Sequence, residues 1–262
     1  EQAIKVSGGI SKDRPDTLSV RLDKLQLSII DEFLAEKIGL EGEANGSAVL
    51  TSEEGITLGM LADITLDSLK LAGNDAGSIH LSSILEEGGE NINIYLQNRI
   101  QGRNAIYASG LYYLDDGRMD IMAELDKLSL SLVGPFMKDI FESTGGNLSG
   151  ELRLQGLPGY FSTSSRNLRL EDARFGLAFT GVNYTANGPI TVNDQGLYLE
   201  NVQIRDESGG SANLNGSLTH NNFKDIHIDA GLSLLNIKML DVITDRGSGL
   251  YGLLRASGNA RI

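Results

Sequence analysis

The chain has 262 residues with 32 Gly, 4 Pro, no Cys and no Trp, and 22 Lys+Arg against 35 Asp+Glu give a formal charge of −13. The missing Cys excludes a disulfide scaffold, a Cys-ligated metal or cluster and a cysteine nucleophile, and the acidic balance argues against nucleic acid as a partner. An apolar share of 40% is too high for disorder at this charge, and no apolar run approaches the roughly 18 residues that span a bilayer.

Gln2–Gly8 reads as a strand, with no basic segment and apolar core of a signal peptide before it. Leu22-Asp23-Lys24-Leu25-Gln26-Leu27-Ser28 follows, then Ile30, Phe33, Leu34 and Ile38 at helical spacing. Ile56, Leu58, Met60, Ala62, Ile64 and Leu66 alternate with polar or small residues, as do Ile92, Ile94 and Leu96, the run Ile106 to Leu114, and Met119 to Leu125. Val133, Phe136, Met137, Ile140 and Phe141 form a second helical pattern, and Leu148, Gly150, Leu152 and Leu154 alternate after it. A further strand runs from Ile226 to Leu232, and Ile237, Leu240, Val242 and Ile243 behind an Asn236 cap form a third helical pattern. The last residues, Arg255–Ile262, read as a strand, so the expectation is a segment of a longer protein.

Turn signals fall at Glu53–Gly55, Asn74–Gly77, Glu87–Gly89, Asp115–Gly117, Asn193–Gly196, Asp206–Gly210 and His220–Asn222. Period-2 runs joined by such links predict about sixteen antiparallel strands in a meander. The heptapeptide at Leu22 returns at Leu125 (Leu-Asp-Lys-Leu-Ser-Leu-Ser) with six of seven residues the same, and Phe33 and Phe136 share its offset of 103. Leu-x-Gly closes each helical pattern, at Leu40–Gly42, Leu148–Gly150 and Leu250–Gly252. The chain therefore reads as one continuous repetitive β segment over 1–262, with units near 18–120, 121–228 and a truncated 229–262.

Catalytic signals are weak. His80 and His227 fall at polar alternate positions and His220 beside a turn, with no triad pattern. Gly247–Gly252 fits G-x-G-x-x-G, but a strand follows it where the dinucleotide motif has a helix. Asp115-Asp116-Gly117 and Asp206-Glu207 read as solvated turns without calcium-loop spacing. No metal, cofactor or catalytic residue is expected. The remaining feature is the aliphatic face, which is either a filled core or a groove for a guest. Small residues at Ala44, Gly46, Ala48, Gly110 and Gly150 leave little volume to fill a core.

The strand Leu125–Leu130, the apolar segment around Phe136, and Gly145-Gly146-Asn147-Leu148-Ser149-Gly150-Glu151-Leu152-Arg153-Leu154-Gln155-Gly156 resemble the AsmA-like/TamB family, the inner-membrane component of the translocation and assembly module. The first and third copies depart from it, with Ala44 and Gly46 in place of Leu152 and Leu154, and Leu253 beside Leu254. The resemblance implies an all-β fold, an elongated antiparallel sheet folded into a trough (a β-taco) with short helical interruptions. It further implies a periplasmic segment of a protein anchored in the bacterial inner membrane. Its ligand would be phospholipid or another acyl-chain lipid, its role outer-membrane biogenesis, and its partner an Omp85-type outer-membrane barrel met through regions beyond this chain.

The expectation is thus a non-enzymatic conduit segment. Its groove lining would be Ile56, Leu58, Met60, Ile92, Ile94, Leu96, Ile121, Leu148, Leu152, Leu154, Leu168, Leu170, Leu197 and Leu199. The alternative is an extracellular structural or adhesive β-solenoid with a filled core. A carbohydrate-active enzyme would need aromatic platforms, for which Tyr107, Tyr112 and Tyr113 are the only cluster.

Overall fold

The computed structural model describes residues 2–11, 15–32, 38–53, 56–85, 88–132, 134, 141–158, 160–177, 180–221, 224–242 and 251–261. Fifteen strands dominate: β1 (Ala3–Gly9), β2 (Asp16–Gln26), β3 (Leu40–Glu53), β4 (Ile56–Leu71), β5 (Asn74–Leu85), β6 (Asn91–Ile100), β7 (Arg103–Tyr113), β8 (Met119–Ser129), β9 (Phe141–Leu157), β10 (Tyr160–Leu177), β11 (Val182–Asn193), β12 (Gly196–Asp206), β13 (Ser211–Asn221), β14 (Lys224–Val242) and β15 (Gly252–Arg261). They lie in one antiparallel sheet in sequence order, open because, among the described residues, β1 pairs only with β2 and β15 only with β14. The chain divides into two compact units, residues 1–124 with 153–162, and 125–152 with 163–262.

The helical readings are corrected in part. Of the first, Ile30 lies in α1 (Leu27–Asp31), a five-residue helix, Ile38 lies outside any helix, and Phe33 and Leu34 lie outside the described residues. Near the second, a 3-10 turn occupies Leu130–Leu132, Phe141 opens a strand, and Val133, Phe136, Met137 and Ile140 lie outside the described residues. The third is overturned: Asn236, Ile237, Leu240 and Val242 belong to β14, with Ile243 outside the described residues.

Bulges cause the false helical spacing. In β14 the pairing with β15 skips between Leu234 and Ile237 and again between Lys238 and Leu240. Each extra residue flips the strand's parity, so inward residues stand three or two apart instead of a regular two. The same device recurs along the chain. Lys24, Ser68, Lys127, Asp172, Asn201 and Asn236, in β2, β4, β8, β10, β12 and β14, all have φ near +50°. Each sits third in a tetrad that begins with Leu and ends on an apolar residue: Leu22–Leu25, Leu66–Leu69, Leu125–Leu128, Leu170–Ala173, Leu199–Val202 and Leu234–Ile237. The Leu-Asp-Lys-Leu repeat is therefore a bulge signature, present in six of the even-numbered strands.

A left-handed residue turns its N–H off the ladder, and the next strand receives it with a side chain. Lys24 donates to Asn45 Oδ1 at 2.8 Å, Lys127 to Ser149 Oγ at 3.1 Å, Asp172 to Asn187 Oδ1 at 2.8 Å, Asn201 to Asn215 Oδ1 at 2.8 Å and Asn236 to Ser257 Oγ at 2.9 Å. Glycine follows every one of these acceptors. At Gly150 the reason is contact: a Cβ would lie 2.6 Å from Leu168 Cα, and its φ of +133° suits only glycine.

The Asn74–Gly77 turn reading is also corrected. The turn is Ala72-Gly73, and Asn74 already begins β5, its amide bonding back to the Leu71 and Ala72 carbonyls.

Candidate functional site: the aliphatic face

In the first unit, cross-strand register aligns the alternate apolar residues into rows. Leu22, Gly46, Ile64, Leu81, Leu96 and Ala108 are successive partners from β2 to β7. The neighbouring row is Val20, Ala48, Ala62, Ser83, Ile94 and Gly110, with Ile121 of β8 against Gly110. The opposite face carries Asp63, His80 and Gln97 beside an exposed apolar row of Val49, Leu61 and Ile84, and the His80 ring nitrogen pairs with Asp63 Oδ2 at 3.0 Å in the open.

Burial divides this face at the bulge line. Beyond the bulges Leu69, Ala76, Asn98, Ile100 and Ala105 are buried, and Asn98 Nδ2 donates to the Ala76 and Ser78 carbonyls at 2.8 and 3.1 Å. Before the bulges the large side chains Val20, Leu22, Leu50, Met60, Ile64, Leu81, Ile92, Ile94, Leu96 and Ile121 all remain half-exposed. Only the small Ala62, Ser83 and Ala108, and Leu85 at a strand end, are buried there. No ionisable side chain interrupts the two rows.

The second unit shows a similar division, less cleanly. Beyond its bulges Ala173, Val182, Tyr184, Ala186, Val202, Ile204, Ala212, Ile237 and Val242 are all buried, with Val202 only 1% exposed, and the Phe175 and Tyr184 rings pack at 5.6 Å. Before the bulges Leu170, Leu197, Leu199, Leu218 and Leu232 are half-exposed and Ile228 is open, but Ile190, the partner of Leu199, and Ala230 are buried, and Leu214 beside Val202 is half-exposed.

The expected lining residues fall as follows. Met60, Ile92, Ile94, Leu96 and Ile121 share the half-exposed lane of the first unit. Leu154, in the same unit, and Leu148 and Leu152, in the second, are also half-exposed at alternate positions of β9. Leu170, Leu197 and Leu199 share the lane of the second unit, but Leu168 is only 2% exposed, closed in beside Gly150. The backbones of Ile56 and Leu58 lie in β4, and their side chains lie outside the described residues.

Asp206 is not solvated, which corrects the sequence reading for that residue, while Glu207, Ser208 and Gly209 of its turn are exposed. Its carboxylate is fully enclosed. Oδ1 accepts from the Ser208 and Gly210 N–H groups at 2.7 and 2.9 Å, and Oδ2 from the Lys238 N–H at 2.6 Å. Burial pushes its pKa up, but the N–H groups of Lys238, Gly210 and Ser208 outweigh that and hold it below the usual carboxylate range. Burial, then the Asp206 charge, raises the Tyr184 phenol. The signal in sequence was Asp-x-Ser-x-Gly, a side chain that caps its own turn.

Among the described residues no cluster of His, Asp or Glu could hold a metal. Tyr107 and Tyr113 occupy one face of β7 and Tyr112 the other, and Tyr113 lies under Arg118 at 5.7 Å, so the three tyrosines form no common platform. Of the G-x-G-x-x-G segment only Tyr251 and Gly252 are described, Gly252 opening β15. No helix among the described residues is long and apolar enough to cross a membrane. Neither protein-family models, nor curated proteins, nor solved structures gave a match to the chain.

Proposed function

We propose that this chain is a non-enzymatic segment that holds lipid acyl chains along its half-exposed aliphatic lane, as part of a periplasmic conduit carrying phospholipid for outer-membrane biogenesis. The observation that supports this is the lane in the first unit, where ten large aliphatic side chains stay half-exposed on one face of the sheet. Leaving so much hydrocarbon in water is unfavourable at about 25 cal/mol per Å². An acyl chain gains about 0.8 kcal/mol per CH₂ on leaving water, on the order of 10 kcal/mol for a long tail. Lane and tail therefore relieve each other without hydrogen bonds. The likeness to AsmA-like repeats supplies the membrane context: an inner-membrane anchor, the periplasmic gap and an Omp85-type barrel.

The test is organic extraction of the purified chain followed by lipid mass spectrometry, and then reloading with a fluorescent fatty acid. Ile94→Asp and Leu96→Asp are expected to lower loading at least tenfold, and Tyr95→Asp, on the opposite face, to leave it unchanged. Equal loading of all three would overturn the reading. The buried residues of the second unit favour a filled-core structural solenoid for that part alone, and that reading expects no extractable lipid.

A further inference from the structure

The last part of β14 closes over the second unit's buried side. β13 ends its pairing at Leu235, and residues 236–242 continue past the β12–β13 turn. They meet β11 instead: Tyr184 Oη donates to the Lys238 carbonyl at 2.7 Å, and the Asp241 N–H donates to the Thr180 carbonyl at 2.8 Å. Lys238 N–H reaches the enclosed Asp206 carboxylate, which stands where a missing strand's carbonyls would be. Arg255 of β15 ties the same place, donating to the Asn236 carbonyl at 2.8 Å and to Ser208 Oγ at 2.6 Å. Residues 237–242 pair with 252–256 of β15, so the two strand ends are held together by that ladder. Its root is the left-handed Asn236.

The geometry points to a strap: we infer that residues 236–242 of β14, with 252–256 of β15, swing about Asn236 to cover or expose the buried Val182 and Tyr184 at the start of β11. Two observations carry it. The closed position is held by discrete polar bonds to turns and side chains and by the buried Ile237 and Val242, instead of a continuous ladder with β11. What it covers lies on the face that carries the half-exposed lane, with the buried Ala186, Gly188 and Ile190 between them, so an open strap extends the exposed apolar surface of that face. This rests on the acyl-chain reading for its purpose, though the motion stands apart from it.

The absence of native Cys allows a clean lock. Thr180→Cys with Asp241→Cys, oxidised, pins the strap, and the same protein reduced is the control. Asp206→Asn and Tyr184→Phe each remove an anchor, the second keeping the ring in place. Hydrogen exchange should show the Lys238 and Asp241 amides opening together, ahead of Val202 and Ala212, and at least tenfold faster in both anchor variants. A fluorescent fatty acid should load less into the oxidised lock than into its reduced form. If Lys238 and Asp241 exchange only with Val202 and Ala212, the strap is overturned, whatever binds. Equal loading of locked and reduced protein overturns its role in access and leaves the lane reading standing. No loading in any form overturns the lane, and the exchange data then decide the strap alone.

Discussion

Asp206 shows how one side chain can replace a strand. Three backbone N–H groups converge on its enclosed carboxylate, and removing it strands all three inside the fold. Each buried donor left unmet costs about 1–3 kcal/mol. Asp206→Ala is therefore expected to destabilise the second unit by about 3 kcal/mol or more, read as a shifted urea midpoint. The pH dependence follows from the lowered pKa. The carboxylate's contribution is fully present above the unfolded value of about 4 and is lost as pH falls through the lower folded value. Wild type and Asp206→Asn should thus differ in stability at pH 7 and converge towards pH 2. A gap that stays constant down to pH 2 would contradict the hydrogen-bond account.

The hairpin is the element that repeats. Each tetrad places a left-handed residue in an even-numbered strand, and Asn or Ser before Gly in the next strand receives its N–H at five of the six. Asn215→Ala should cost about 1 kcal/mol by leaving the Asn201 N–H unmet. Gly150→Ala should cost about 2 kcal/mol or more, because its Cβ would press on Leu168 at a φ of +133°. Equilibrium unfolding of each variant checks both. The antiparallel meander was readable because alternation over six residues, as from Ile56 to Leu66, has one physical explanation, a sheet with one apolar face. The bulges were not readable as such. A spacing of three, as from Leu234 to Ile237, is shared by a helix turn and by one extra residue in a strand, and only the pairing with β15 separates them. The repeat was visible in its two most alike copies, Leu22–Ser28 and Leu125–Ser131. Its other forms, Leu-Glu-Asp-Ala at Leu170 and Leu-Leu-Asn-Ile at Leu234, keep the conformation and change the residues. The division of the face into covered and half-exposed sides was hidden for the same reason: composition is aliphatic on both, and the bulge line that parts them is set by φ at single residues.

At the scale of the whole chain, exposed area and charge act together. The surface is 16407 Å², whereas even two separate compact bodies of half the 28.1 kDa mass would expose about 13,000 Å² together. Exposed hydrocarbon includes the lanes, Leu61 on the opposite face at 58%, and edge residues such as Ile4 and Val6, 56% and 64% exposed on β1. Such surface drives association unless charge opposes it. A charge of −13 does so at neutral pH and vanishes near the isoelectric point of about 4.6. Light scattering should accordingly rise sharply as pH falls towards 4.6, and added salt should lower the protein concentration needed at pH 7 by screening the repulsion. An acyl-chain guest covers the lane without changing the charge. Protein reloaded with a neutral single-chain lipid should therefore stay dispersed closer to the isoelectric point than lipid-stripped protein, the gap closing for Ile94→Asp, which binds less. If stripped and loaded protein associate at the same pH, the sticky surface lies outside the lane, at the strand edges or on the opposite face.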